Sequence, residues 1–161
     1  MANVYELIDE VTLGSQANGV TFSSIPQTYA DIIVSIVGKG SGNIYPDVRF
    51  NNVSASTYGY VVTYSAVSNV GSQSSYNSGA IPLTWTGNFN STQTNVVNFR
   101  INDYTNANTG KGVLSYNLRP RDGYVEWIAG GFYTSQAINE INIQNGPFQA
   151  GTRFLLWGVS K

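Results

Sequence analysis

The chain has 161 residues, a formal net charge of −1, 42% hydrophobic and only 11% charged residues, with no Cys and no His. These figures exclude a disulfide-stapled scaffold, Cys or His metal sites, and nucleophiles activated by His. Helix-forming Ala, Glu, Lys, Leu and Arg are scarce beside 17 Gly and 11 Tyr, which points to β-structure in a single ordinary domain.

Period-two and β-branched runs bounded by Gly, Pro, Asn and Ser predict strands. In chain order these fall near Val4–Leu13, Gly19–Ser23, Asp31–Lys39, Asp47–Asn51, Tyr58–Ser65 and Ala80–Trp85. They continue near Asn95–Asp103, Gly112–Leu118, Tyr124–Phe132, Ala137–Gln144 and Thr152–Val159. Asn18-Gly19, Asp122-Gly123 and Asn145-Gly146 accept the positive φ of tight hairpin turns, and each sits between two predicted strands. Ile25-Pro26 and Ile81-Pro82 belong at strand starts or sheet edges, because Pro cannot donate to a central ladder. The polar stretches Ser65–Gly79 and Tyr104–Gly112 read as long loops. So many short strands must stack or close to bury their faces. The expected fold is therefore all-β, a single-domain, two-sheet sandwich of jelly-roll type over residues 1–161, with a closed barrel as the alternative.

Several chemistries fail on spacing. Gly38-Lys39-Gly40-Ser41-Gly42 follows a strand, but Pro46 forbids the helix that a phosphate-binding loop requires. The eight basic residues are dispersed, so nucleic acid is not an expected partner. The longest apolar run, Ile32 to Val37, is far too short to cross a membrane as a helix, and no signal peptide is visible at Met1. Asp9 and Glu10 are adjacent on a strand and point to opposite faces. Glu126 and Glu140 lie on strands read as neighbours and could meet across a sheet as the acid pair of a glycosidase, but solvent-facing positions are the expectation for both. Asn102, Asp103, Asn106 and Asn108 offer oxygen ligands without the spacing of a calcium loop, and read as an Asn-rich turn. No metal, no cofactor and no catalytic residue is expected, and the chain reads as non-enzymatic.

Aromatic residues make up 13% of the chain and suit either a core or a binding face. Trp127 and Trp157 fall inside strands and read as core, whereas Trp85 beside a polar run reads as an edge residue. Trp85, Tyr58 and Tyr60 are the candidates for binding a glycan. Arg119, Arg121 and Asp122 form an expected exposed charged hairpin, a candidate for intersubunit salt bridges.

Both ends of the chain carry a recognisable pattern. Tyr5-Glu6-Leu7-Ile8, Val11-Thr12-Leu13-Gly14-Ser15 and the run from Val20 to Asp31 resemble the start of small virion structural proteins of tailed phages, many of them marine or cyanobacterial. Val48-Arg49-Phe50-Asn51 resembles their next block, and Phe148 with Gly151 to Val159 resembles their closing strand, where Tyr is commoner than Trp157. The middle, Asn52 to Gly146, matches only in general β character. The resemblance implies a virion component made in the bacterial host cytoplasm and supplies no catalytic residues. The resulting expectation is a capsid decoration or cement protein that binds the assembled head, with the major capsid protein or other virion proteins as partners and a homo-oligomer, a trimer, as its state. The alternative is a tail-fibre module that recognises a host surface glycan.

Overall fold

The computed structural model describes residues 4–66, 69–85, 89–119 and 123–161. Among them are twelve strands and no helix. The strands are β1 (Tyr5–Thr12), β2 (Val20–Phe22), β3 (Asp31–Gly38), β4 (Asp47–Phe50), β5 (Tyr58–Ala66) and β6 (Asn69–Ser78). They continue as β7 (Ile81–Pro82), β8 (Asn95–Ile101), β9 (Lys111–Arg119), β10 (Tyr124–Phe132), β11 (Ile141–Gln144) and β12 (Arg153–Val159).

Two antiparallel sheets result. The larger has eight strands in the order β1-β12-β3-β8-β9-β10-β5-β6, and the smaller has four, β2-β11-β4-β7. Each sheet keeps two free ends, so the fold is the expected sandwich and not the closed barrel. One hydrophobic cluster joins them: Ile32, Val34, Ile36, Val97, Phe99 and Phe154 from the large sheet meet Phe22, Val48, Phe50, Ile141 and Ile143 from the small one. Alternation explains the arrangement. In β3 the buried residues recur at every second position because successive side chains point to opposite faces. Phe50 bridges the layers, its ring lying 5.5 Å from Phe132 and 6.1 Å from Tyr58.

Two expectations change here. The segment read as a polar loop over Ser65–Gly79 is mostly β6, an edge strand paired with β5 alone among the described residues. It lacks an apolar stripe because most of its residues face solvent. Asn145 does take positive φ, at 62°, but it ends β11 on the way to the other sheet and closes no hairpin. Pro82 sits in β7, at the edge of the small sheet, where its missing N–H costs no ladder bond.

Candidate functional site

Polarity runs backwards along β9. Its residues alternate strictly between buried and exposed, yet the buried row is Lys111, Val113, Ser115, Asn117 and Arg119, while the exposed row holds Leu114, Tyr116 and Leu118. The register carries this outer row across the sheet. Tyr116 pairs with Trp127, Leu114 with Ala129 and Leu118 with Val125. On the far side of β10, Trp127 pairs with Thr63 and Ala129 with Val61, and Val61 then pairs with Ser74 of β6. Trp127 is 53% exposed and Leu114 50% exposed, where a sequence with this alternation usually places its polar residues.

The outer positions of β9, β10, β5 and β6 carry no charged side chain among the described residues. Charge on the same face lies on the other four strands, beginning at Arg100 of β8, the cross-strand partner of Leu114. Arg153 Nε lies 2.9 Å from Glu10 Oε1, and Arg100 pairs with Asp31. The Arg153 guanidinium holds the Glu10 carboxyl below its ordinary value. Thus one half of the large sheet's outer face is laced with ion pairs, and the other half is uncharged, apolar and aromatic on β9 and β10 and mixed on β5 and β6, where Thr63, Ser65, Ser72 and Ser74 lie beside Val61 and Val70.

The inner side of the apolar half is correspondingly polar. Glu126 is 0% exposed, and its Oε2 accepts from the Trp85 backbone N–H at 2.9 Å and from Asn117 Nδ2 at 3.1 Å. The expectation of a solvent-facing Glu126 is therefore corrected. So is the proposed meeting of two acids: Glu126 sits on β10 of the large sheet, and Glu140 immediately precedes β11 of the small one. Lys111 is buried too, and desolvation lowers its pKa against the attraction of Asp103.

Tyr58 is corrected from a glycan contact to a core residue. It is fully buried and stacked 5.0 Å from Phe132, and its Oη accepts from Phe50 N at 2.9 Å and donates to Val53 O at 3.0 Å. Burial raises its pKa. Arg119 is corrected from an exposed turn residue to a buried one, with its guanidinium 4.1 Å from the Tyr124 ring centroid. Arg121 and Asp122 lie outside the described residues. Trp127 and Trp157 face outward and are not core, because the period of a strand does not say which of its faces is covered. In the Asn-rich turn, Asp103 Oδ2 accepts from Asn106 Nδ2 and Asn106 Oδ1 from the Asn108 N–H, both at 2.8 Å, so its oxygens serve the turn.

Trp85 and Tyr60 do come together, with ring centroids 5.9 Å apart at 54°. They line a cleft of ≈ 320 Å³ beside the β7 edge, together with Tyr45, Asp47, Ser78 and Thr84. Asp47 is half-buried, and desolvation raises its carboxyl pKa above 3.8 against the opposing pull of Gln144 and Arg49.

No family model and no curated protein matches the chain. Among solved structures it is similar to the marine PL-14 alginate lyase from Aplysia kurodai, at 8% identity over 96% of this chain and 80% of that one, with a TM-score of 0.35. It is also similar to a variant of the alginate lyase Aly36B in complex with an alginate tetrasaccharide. That match has 10% identity over 91% of this chain and 79% of the other, with a TM-score of 0.32. A functionally unknown protein from Saccharomyces cerevisiae matches at 10% identity over 82% of this chain and 72% of that one, with a TM-score of 0.26. The expectation of a chain without enzymatic activity is corrected on this finding, since two of these similar proteins are enzymes. That expectation leaned on the missing His and Cys, whereas Tyr, Lys, Glu and Asp also serve as acids and bases. Similarity at these TM-scores assigns the chain no reaction of its own.

Proposed function

We propose that this protein is a structural component of a phage particle, a decoration protein that attaches to the assembled head through the apolar half of its large sheet. The observation that carries the reading is the inverted polarity of β9, which turns Leu114, Tyr116 and Leu118 outward. An exposed face without charged side chains and with Leu114, Tyr116, Leu118 and Trp127 side by side has the composition of the buried centre of a protein interface, where aromatic residues are enriched and charged ones depleted. Covering it removes apolar area from water at about 25 cal/mol per Å². Binding only the assembled lattice then stabilises that lattice by mass action. The resemblance of the two chain ends to phage virion proteins supplies the particle as the partner. Trimeric packing at threefold positions of the head belongs to the same reading.

The test is co-sedimentation of the purified protein with heads that lack it, beside the double variant Leu114→Glu/Trp127→Glu. Both positions are exposed, so the variant is expected to unfold within about 1 kcal/mol of the wild type. Saturable binding by the wild type and loss of at least roughly tenfold in the variant are expected. Failure of the wild type to co-sediment, or equal binding by the two proteins, overturns the reading.

A further inference from the structure

The cleft at the β7 edge lies apart from the apolar outer face and has its own chemistry. Three aromatic rings reach it: Trp85 and Tyr60, tilted against one another, and Tyr45, which is 52% exposed. Two oxygen-bearing side chains share its lining. Thr84 is buried and its Oγ1 has no hydrogen-bond partner, and Asp47 Oδ1 is likewise buried and without one. Buried polar atoms are nearly always satisfied, so two orphans in the wall of one aromatic cleft point to a ligand that brings hydrogen-bond donors.

We propose that this cleft binds a neutral, hydroxyl-rich ring, a hexose-type pyranose, with its apolar face on Trp85 and Tyr60 and its hydroxyl groups on Asp47 and Thr84. The volume of ≈ 320 Å³ falls at the small end of ligand pockets, which run from about 300 to 1,000 Å³. Aromatic rings beside a carboxylate also suit a quaternary ammonium group. Such a cation offers no hydrogen bond to Thr84 or Asp47 and would leave both orphans unsatisfied, which favours the sugar. The Asp47 carboxylate disfavours an anionic uronate, because like charges repel at short range. The inference does not depend on the head-binding reading, since it uses other residues at another place on the molecule.

The test titrates the full chain with lactose, cellobiose and maltose, following the Trp85 indole N–H by two-dimensional NMR. Tetramethylammonium and a galacturonate disaccharide are titrated in parallel. At least one neutral disaccharide is expected to shift the Trp85 signal saturably. Thr84→Val is expected to weaken that binding several-fold, and Trp85→Ala by roughly tenfold when followed calorimetrically. Thermal unfolding of each variant separates lost binding from lost folding, and Tyr60→Leu serves as a second binding variant if Trp85→Ala does not fold. Three results overturn the proposal: no response to any neutral sugar, unchanged affinity in the folded variants, or a response confined to tetramethylammonium or the uronate.

Discussion

Tyr116 on β9 and Trp127 on β10 are cross-strand partners on the outer face of the large sheet, their ring centroids 5.9 Å apart at 43°. Directly behind them in the sheet, Asn117 and Glu126 are also cross-strand partners, and they are hydrogen-bonded in the interior. The two pairs occupy opposite faces of the same two strands. An aromatic pair lies in water and a carboxylate–amide pair lies inside, the reverse of the arrangement that burial favours in an isolated domain. The inversion makes sense if the outer face is covered when the protein works.

Attachment through an uncharged face has a consequence for salt. Exposed charges more than a Debye length apart, about 10 Å at 0.1 M, are screened, whereas burial of apolar area is not weakened by screening. Binding to heads is expected to change less than threefold as salt rises from about 0.05 to 0.5 M, measured by co-sedimentation. A steep loss across that range would transfer the binding to the charged half of the sheet, around Arg100 and Arg153.

Glu126 holds together the interior behind the apolar half of the sheet. Removing its carboxylate takes away the acceptor that the Trp85 N–H and Asn117 Nδ2 share at Oε2. Each buried donor left unsatisfied costs about 1–3 kcal/mol, so Glu126→Ala is expected to destabilise the fold by roughly 3 kcal/mol in urea unfolding. A change below about 0.5 kcal/mol would mean that other groups already satisfy these donors.

Tyr58→Phe isolates a core hydrogen bond from a core ring. The ring stays against Phe132 and Phe50, but Phe50 N loses its acceptor. A loss of about 1–3 kcal/mol is expected from chemical denaturation, with sugar titrations unchanged. Weakened sugar binding in a folded Tyr58→Phe protein would restore Tyr58 to the binding residues.

Asp47 gives the stability a pH dependence of known sign. Its folded pKa is raised above 3.8 by desolvation, so between the unfolded and folded values the folded protein holds the proton more tightly. Its contribution therefore opposes folding at neutral pH, and that opposition fades as pH falls through the folded pKa. Glu10 acts in the opposite sense: its pKa is lowered by Arg153, so its contribution is present at neutral pH and lost as pH falls through the folded value. Asp47→Asn is expected to raise the thermal midpoint at neutral pH and to leave it near the wild type at about pH 3, below both values. A midpoint lowered at neutral pH would mean that the ionised carboxylate is stabilising.

Much of the fold is legible in the chain because strand periodicity is written locally. Tyr124–Phe132 is read to its ends, and the β-branched run from Asp31 is found as the strand β3. What stays hidden is which face of a strand is covered. The period of two in β9 and β10 is plain, but parity has no sign: Glu126 inside with Trp127 outside leaves the same trace as the reverse. Only the neighbouring layer decides it, through Trp85 reaching across to Glu126. The edge strand β6 is missed for another reason, because Asn69–Ser78 pairs with β5 through its backbone and has almost no apolar side chains to bury. The binding cleft is half visible. Trp85 is found at an edge, while Asp47, Thr84 and Tyr45 join it only through the pairing of β4 with β7 and the loop that follows β7.

We infer that this chain is part of a particle and coats its head. Quantitative mass spectrometry of purified virions, scaled to the major capsid protein, tests it most directly. A copy number comparable to that of the capsid subunits is the predicted result. A handful of copies per particle, or none, would contradict it.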